Sequence, residues 1–387
     1  ARALTPKLAS RAADTDALSR RRATRTGLWL SQAFGLRAMP LMIWSEPILM
    51  RMGQGDAVAQ TAGRYLTVAG WGIVPALLVM VLKSYLAALE RTQIVLWITL
   101  GAAVINAFAN YALIFGNWGA PELGVVGAAV ASVTTQIVSL IGVVIYVLWV
   151  VPQHQLFVRM WRADGQMLRK VFQLGWPIGI TALSEVGLFA ASAMMMGWLG
   201  TITLAAHGIA VQLASITFMV HLGLSNVATI RAGNAYGRRD KPHMARGAMI
   251  ALAMSLGFAV LTIIVFVGWP EPLISIFMQR DEPARADILA IGMGLLAVAA
   301  LFQLVDGAQA IALGLLRGVQ DTQVPMVLAA ISYWAIGIPC SYLLGFTLGF
   351  GGIGIWAGLV IGLGVAAILL NARFWGVTIK ALGKAEA

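Results

Sequence analysis

Two carboxylates in otherwise apolar stretches are the residues whose type and position could carry chemistry. Glu185 lies in the middle of residues 175–197, and Asp306 lies within residues 294–316. Both stretches are long and apolar enough to cross a bilayer as a helix. A charged group at that depth is costly, so it faces a protein interior or a water-filled cavity and by default indicates a functional site. We interpret every other Asp and Glu as lying at a helix end or in a loop.

Neutral polar side chains accompany both carboxylates on their helix faces, at spacings of three, four or seven residues. These side chains are Thr181 and Ser192 on the first helix, and Gln303 and Gln309 on the second. On a third helix, Asn106 and Asn110 stack at i and i+4. Oxygen atoms grouped around carboxylates suit a hard cation or a proton. The pattern therefore predicts a site for a coupling ion, with Glu185 and Asp306 as the ligands if that ion is Na⁺.

Helix geometry predicts a common depth for these groups. Counted at about 1.5 Å per residue from one membrane face, Glu185 is about 22 Å deep, Asp306 about 17 Å and Asn106 about 20 Å. A hydrocarbon core is about 30 Å thick. The groups should therefore lie near the midplane, where secondary transporters bind substrates and coupling ions.

The composition of this 387-residue chain argues against several other classes of protein. It is 59% hydrophobic and 11% charged, which is more apolar surface than a soluble domain can bury. The net charge of +11 is spread over short basic clusters between apolar stretches, which is typical of cytoplasmic loops and not of a nucleic-acid interface. The single Cys340 excludes an intrachain disulfide framework. Since no nucleotide, HExxH or paired-cysteine motif is present, we expect no enzyme and no cofactor, only an ion gradient as the energy source.

Ten long apolar stretches predict an all-α polytopic membrane protein. They cover residues 27–50, 65–89, 94–115, 124–151, 171–198, 203–229, 244–269, 288–316, 324–346 and 353–377, and an eleventh, before residue 13, is too short to span. Loops rich in Arg and Lys alternate with loops that have none. We expect the basic loops, including one at residues 20–25, to be cytoplasmic.

Three short motifs occur twice and indicate an internal repeat. EPIL at 46–49 resembles EPLI at 271–274, and the motifs at 91–93 and 124–127 recur at offsets of 230 and 227 residues. Two pseudo-symmetric six-helix lobes would be a parallel repeat, as many transporters have. We expect an N-terminal lobe at 1–152, a cytoplasmic linker at 153–170 and a C-terminal lobe at 171–387. Because the offset places the counterpart of the first C-terminal helix before residue 1, we expect about eleven of twelve helices.

Several polar residues also have a purely structural interpretation. Amides and hydroxyls in membrane helices often only bond a neighbouring helix. Glu185 or Asp306 could form an internal pair with a basic group, for which Lys83 and Arg37 are the candidates. His207 and His221 share one stretch, and a lone membrane histidine is more often a hydrogen-bonded packing residue than a proton relay.

Four blocks together resemble the multidrug and toxic compound extrusion (MATE) family, in its proteobacterial NorM-like branch. They are residues 110–132, 203–237, 301–322 and 331–345, and the resemblance covers essentially the whole chain. It implies a monomeric, multi-pass antiporter of the bacterial inner membrane that exports cationic or amphipathic drugs in exchange for Na⁺ or H⁺. By motif position, Glu185 and Asp306 match the family's acids on the seventh and tenth helices, and Asn106 and Asn110 match polar positions on the fifth.

The chain departs from the family pattern at a few positions. Phe302 stands where NorM-like relatives often carry Tyr, so a hydroxyl near Asp306, one proposed ion ligand, is lost. Gly208 and His221 replace the usual Gln and Pro and could alter the bend of that helix. The first helix, which carries an acid in many members, is expected to be absent here.

Two other functions would require a different set of polar groups from drug export. A flippase for lipid-linked precursors, from the same superfamily, would line its cavity with cationic groups for pyrophosphate, whereas the midplane here is acidic. A non-catalytic membrane scaffold would not need polar groups at one depth. The expected partners are therefore small cationic or amphipathic organic molecules and the lipid bilayer, with no nucleic acid.

Overall fold

The computed structural model describes residues 5–51, 55–89, 91–152, 156–157, 165–279 and 281–384. The side chains of its helices are described from residue 21 to residue 381. All long elements of this described part are helices, which confirms the predicted all-α class. The helices are α1 (Thr5–Ile43), α2 (Ser45–Arg51), α3 (Asp56–Gly70), α4 (Ile73–Ala88), α5 (Thr92–Phe115), α6 (Gly124–Val150), α7 (Gly165–Leu199), α8 (Thr201–Gly237), α9 (Lys241–Gly268), α10 (Pro270–Ser275), α11 (Arg285–Gly318), α12 (Gln323–Thr347) and α13 (Gly351–Ala381).

Eight of the described helices are long and apolar enough to cross a membrane, namely α5 to α9 and α11 to α13. The consecutive helices α3 and α4 pass the same test together but are bent by 47° at their junction. Gly70 and Gly72 flank the bend and are weak helix formers. Pro75 follows and has no N–H to bond the carbonyl of Trp71. The predicted stretch 65–89 is therefore one broken element.

The first helix differs from its prediction. The sequence suggested a short remnant, a basic loop at residues 20–25 and then a span at 27–50. In the structure α1 runs without interruption from Thr5 to Ile43, and a short helix α2 follows. Arginine is a good helix former, and no Gly or Pro lies between Lys7 and Thr26 to stop the helix. The predicted loop is therefore helical, and α1 is not among the described candidates for a span.

Contacts within the chain divide it into two compact units, Ala1–Phe172 and Gln173–Ala387. The first has a small apolar core where α1, α4 and α6 meet, around Leu82, Leu86 and Val143. The second has a larger core centred on α11, which packs against α8, α9 and α13. The boundary between the two units lies within α7. Because α7 begins at Gly165, the end of the predicted linker, residues 165–170, is helical. Most of the rest of that linker lies outside the described residues.

The motifs that indicated a repeat occupy matching places in the two units. The EPIL and EPLI motifs lie in the short helices α2 and α10. The second pair of motifs begins α5 at Thr92 and α12 at Gln323. The third begins α6 at Gly124 and α13 at Gly351, with φ of +52° and +58°. Glycine reaches such φ values without steric cost. The internal repeat is therefore visible as a repeat of local structure.

Small residues let α11 approach α8 closely. The Ser225 hydroxyl donates to the Ala310 carbonyl at 2.6 Å, and one turn later the Thr229 hydroxyl donates to the Gly314 carbonyl at 2.8 Å. A Cβ at Gly314 would meet the hydroxyl and the carbonyl oxygen of Ser225. Close backbone approach at glycine, with hydroxyls bonding across, is how membrane helices gain packing energy without a hydrophobic driving force. This contact positions α11, which carries Asp306.

We expect Gly314→Ala to destabilise the protein, because its methyl group would displace Ser225 from α11. Overpacking of this kind costs about 1–3 kcal/mol. The matched control is Gly223→Ala on α8, where nothing lies within 4 Å of the added Cβ and alanine favours the helix by about 1 kcal/mol. Thermal unfolding in detergent should show a lower Tm for the first variant and no loss for the second. Equal Tm values would contradict the close packing of α8 and α11.

Candidate functional site

Both predicted carboxylates lie in the second unit and interact with each other. Glu185 is half-buried on α7, and Asp306 is 3% exposed on α11. Each lies within electrostatic range of the other. Two negative charges brought together in an apolar interior repel each other unless a positive charge or a proton compensates them. The pair is therefore a site where a cation or a proton would be stabilised.

A basic residue just after the predicted stretch 288–316 belongs to the same group. Arg317 lies in the last turn of α11, is half-buried and interacts electrostatically with Glu185. The signal was present in the sequence, because eleven residues are about three helical turns and place Arg317 on the face of Asp306. Within the described residues, none of the three charged side chains forms a hydrogen bond or an ion pair with another. We call Glu185, Asp306 and Arg317 the charge trio.

Tyr333 is the second group that sequence reasoning missed. It lies on α12 within a π-helical segment, Ile331–Gly337, and its side chain is fully buried. Its hydroxyl has no hydrogen-bond partner among the described residues. The side chain interacts electrostatically with all three members of the charge trio. A phenol in an apolar stretch was the available signal, but its position relative to α7 and α11 depends on the tertiary fold.

A glycine brings α12 close to α7 at this level. A Cβ at Gly187 would lie 2.6 Å from the ring of Trp334. Gly187 is two residues after Glu185, and Trp334 is next to Tyr333. The absence of a side chain at Gly187 therefore lets the π-helical segment of α12 lie against the turn that carries Glu185.

The predicted neighbours of Asp306 on α11 are all buried, with different surroundings. Both polar atoms of the Gln303 side chain, and the oxygen of Gln309, have no hydrogen-bond partner among the described residues. Phe302 packs edge-on against the rings of Phe189 and Trp356, at centroid distances of 5.9 and 5.5 Å. Gln303 also lies within interaction range of His221 on α8. The amide oxygens add polar groups beside Asp306, whereas Phe302 contributes an apolar wall.

The two predicted hydroxyls on α7 bond within their own helix. Thr181 Oγ1 donates to the carbonyl of Pro177 at 2.8 Å, and Ser192 Oγ donates to the carbonyl of Phe189 at 2.8 Å. Both side chains are buried. Such local bonds satisfy the hydroxyl protons and leave oxygen lone pairs as acceptors. The structure does not bring either hydroxyl into a direct bond with Glu185.

The predicted amides of the fifth helix lie in the first unit. Asn110 Nδ2 donates to Asn106 Oδ1 at 3.0 Å, and Asn106 Nδ2 donates to Thr135 Oγ1 on α6 at 3.0 Å. Both amides are half-buried. This chain of bonds joins α5 to α6, as the structural interpretation of membrane amides requires. A role in a substrate cavity stays a prediction.

Lys83 and Arg37, the basic residues predicted as possible partners of the acids, contact a hydroxyl or are exposed. Lys83 Nζ donates to Thr99 Oγ1 at 2.9 Å, within the first unit. Arg37 is exposed on α1. The positive charge observed near the acids is that of Arg317.

The two membrane histidines are buried and hydrogen-bonded. His207 Nδ1 accepts from Trp356 Nε1 at 3.1 Å. His221 Nδ1 and Ser255 Oγ are 2.8 Å apart, which joins α8 to α9, while His221 Nε2 has no partner in the described part of the chain. These contacts fit the structural interpretation of both histidines, which stays a prediction. No group of three or more His, Cys, Asp or Glu side chains that could hold a metal ion occurs among the described residues.

Comparisons with known proteins agree with this fold. The MatE family profile matches residues 8–112 and 177–343. A "Probable multidrug resistance protein NorM" from Rhizobium meliloti (strain 1021) is 44% identical over 380 residues, which cover 97% of this chain and 81% of that protein. A protein of the same name from Agrobacterium fabrum is 44% identical over 374 residues, covering 96% and 80%. The crystal structure of the eukaryotic MATE transporter AtDTX14 has a TM-score of 0.81 at 18% identity, covering 95% of this chain and 80% of that one.

The chain is therefore a membrane transporter, with multiple spans in the bacterial inner membrane, and not an enzyme. It belongs to the MATE family, as the resemblance of its sequence blocks implied.

We expect Ser255→Ala to destabilise the protein if His221 is a packing residue. Removing the hydroxyl leaves the buried Nδ1 of His221 without a partner, which costs about 1–3 kcal/mol. The matched control is Ser215→Ala at an exposed position of α8, which should leave Tm unchanged. The measurement is thermal unfolding in detergent. A Ser255→Ala protein with the Tm of the wild type would contradict the packing role.

Proposed function

We propose that the protein is an antiporter that exports cationic or amphipathic organic compounds in exchange for Na⁺. The observation that carries this proposal is the charge trio, in which two acids on different helices interact within an apolar unit beside a single arginine. Charged groups inside a membrane protein mark ion and substrate pathways. The names of the relatives, which refer to multidrug resistance, support the cargo class.

The charge of the trio favours exchange over simple binding. With both carboxylates ionised and Arg317 positive, the group carries one net negative charge. One monovalent cation neutralises it, and a second would leave an uncompensated positive charge in an apolar interior, which is unfavourable. Na⁺ and a cationic drug should therefore exclude each other. Mutual exclusion at one site is the requirement for antiport, because release of one ion then follows binding of the other.

Two alternatives to this proposal make different demands on the site. A proton on one carboxylate would neutralise the trio just as Na⁺ does, so H⁺ is the second candidate for the coupling ion. A flippase would have to bind an anionic pyrophosphate, which the net negative charge of the trio disfavours. The single arginine of the trio does not reverse that sign.

We expect Glu185→Gln and Asp306→Asn each to reduce dye efflux from drug-sensitive cells by at least about tenfold, because each removes a charge that the cation requires. Matched controls are Glu122→Gln in an exposed loop and Asp287→Asn at the exposed start of α11. Membrane expression of all four variants is measured in parallel. Efflux that survives in the first two variants would contradict the proposal, and equal losses in all four would indicate general destabilisation.

We expect an imposed Na⁺ gradient to drive efflux of ethidium, a monovalent organic cation, from proteoliposomes while a proton ionophore is present. Under these conditions Na⁺ is the remaining driving ion. The control reverses the arrangement, with a pH gradient imposed in Na⁺-free buffer. Efflux that ignores Na⁺ and stops under the ionophore would assign the coupling to H⁺.

A further inference from the structure

We propose that the Tyr333 hydroxyl is a third oxygen ligand for the coupling cation, beside the carboxylates of Glu185 and Asp306. The inference rests on the proposed function, because it concerns the same exchange of cations. It adds a ligand from α12 to the two carboxylate ligands predicted on α7 and α11.

Burial without a hydrogen bond is the first observation that supports this role. Tyr333 is fully buried, yet its hydroxyl bonds no other described group. A buried tyrosine hydroxyl ordinarily finds a partner. Leaving such a group unpaired costs stability, so phenylalanine would serve better if packing alone mattered. The hydroxyl is therefore better explained by a ligand than by the fold.

The surroundings of the hydroxyl are the second observation. Tyr333 interacts electrostatically with Glu185, Asp306 and Arg317, so it lies among the groups that determine the charge of the site. The ring of Trp334, the residue after Tyr333, lies against Gly187, two residues after Glu185. Tyr333 also lies on a π-helical segment. π-helical turns are frequent at functional sites.

Because Phe302 has no hydroxyl, an oxygen ligand from α12 would contribute more to the cation site. It lies one helical turn before Asp306 and directs an apolar ring toward Phe189 and Trp356. This face of α11 therefore offers the cation no hydroxyl. Tyr333 supplies that hydroxyl from the neighbouring helix.

The chemistry of a phenol suits this position. A neutral hydroxyl can direct an oxygen lone pair to a hard cation and donate its proton to a carboxylate at the same time. It adds a ligand without changing the net charge of the trio. Exchange of one monovalent cation for another is therefore preserved, while the extra oxygen favours a small, hard ion over a bulky organic one.

The test is Tyr333→Phe, which removes only the hydroxyl. Its matched control is Tyr342→Phe, at a half-exposed position of the same helix. We expect the Na⁺ concentration that half-saturates ethidium efflux from proteoliposomes to rise at least about tenfold for Tyr333→Phe. It should stay unchanged for Tyr342→Phe. Raising Na⁺ should also increase the Tm of the wild-type protein in detergent, and Tyr333→Phe should lose most of that increase.

Stability without Na⁺ separates a ligand from a structural role. Because the hydroxyl has no protein partner, its removal should leave the Tm in Na⁺-free buffer unchanged or raise it. A Tyr333→Phe protein that is less stable in that buffer, or that fails to fold, would assign the hydroxyl to the fold and overturn the inference.

The Na⁺ dependence of wild-type efflux distinguishes a failure of this inference from a failure of the proposed function. If its efflux depends on Na⁺ and that of Tyr333→Phe shows the same dependence, the inference is wrong and the proposed function stands. If wild-type efflux does not respond to Na⁺, the proposed coupling ion is wrong, and with it the assignment of Tyr333 as a ligand.

Discussion

The cost of placing charge in an apolar interior is the constraint on which this structure depends. The second unit holds one buried and one half-buried carboxylate, and only one arginine in the described residues interacts with them. Helices meet around these groups through glycines and hydroxyls, which allow close approach without adding further charge. The large apolar core around α11 stabilises the unit and offsets the desolvation cost of burying charged groups. The packing of the second unit and the charges of its site therefore depend on each other.

Much of the fold could be predicted from the sequence because membrane helices are recognisable by their length and hydropathy. Nine of the ten predicted stretches coincide with described helices, if the bent pair α3 and α4 counts as one. The failure at α1 has a local cause. A cluster of arginines predicts a loop by its charge, but arginine propagates a helix well when no Gly or Pro interrupts it.

The candidate site could be predicted only in part. Glu185 and Asp306 stood out because a carboxylate is rare in an apolar stretch. Arg317 was overlooked because it lies at a helix end, where basic residues usually face water. Tyr333 was overlooked because a tyrosine in a membrane helix is ordinary. What joins these residues is the approach of α12 to α7 at Gly187, a tertiary contact that no local pattern encodes.

The pair of hydroxyl bonds between α8 and α11 constrains how the second unit can rearrange. Ser225 and Thr229 each grip a carbonyl of α11, one turn apart. Shifting α11 along α8 by a single residue, about 1.5 Å, would break both bonds at once. These two bonds oppose sliding of α11, which carries both Asp306 and Arg317, along α8. A change in the spacing between Asp306 and Glu185 that keeps both bonds would displace α7 relative to the joined pair.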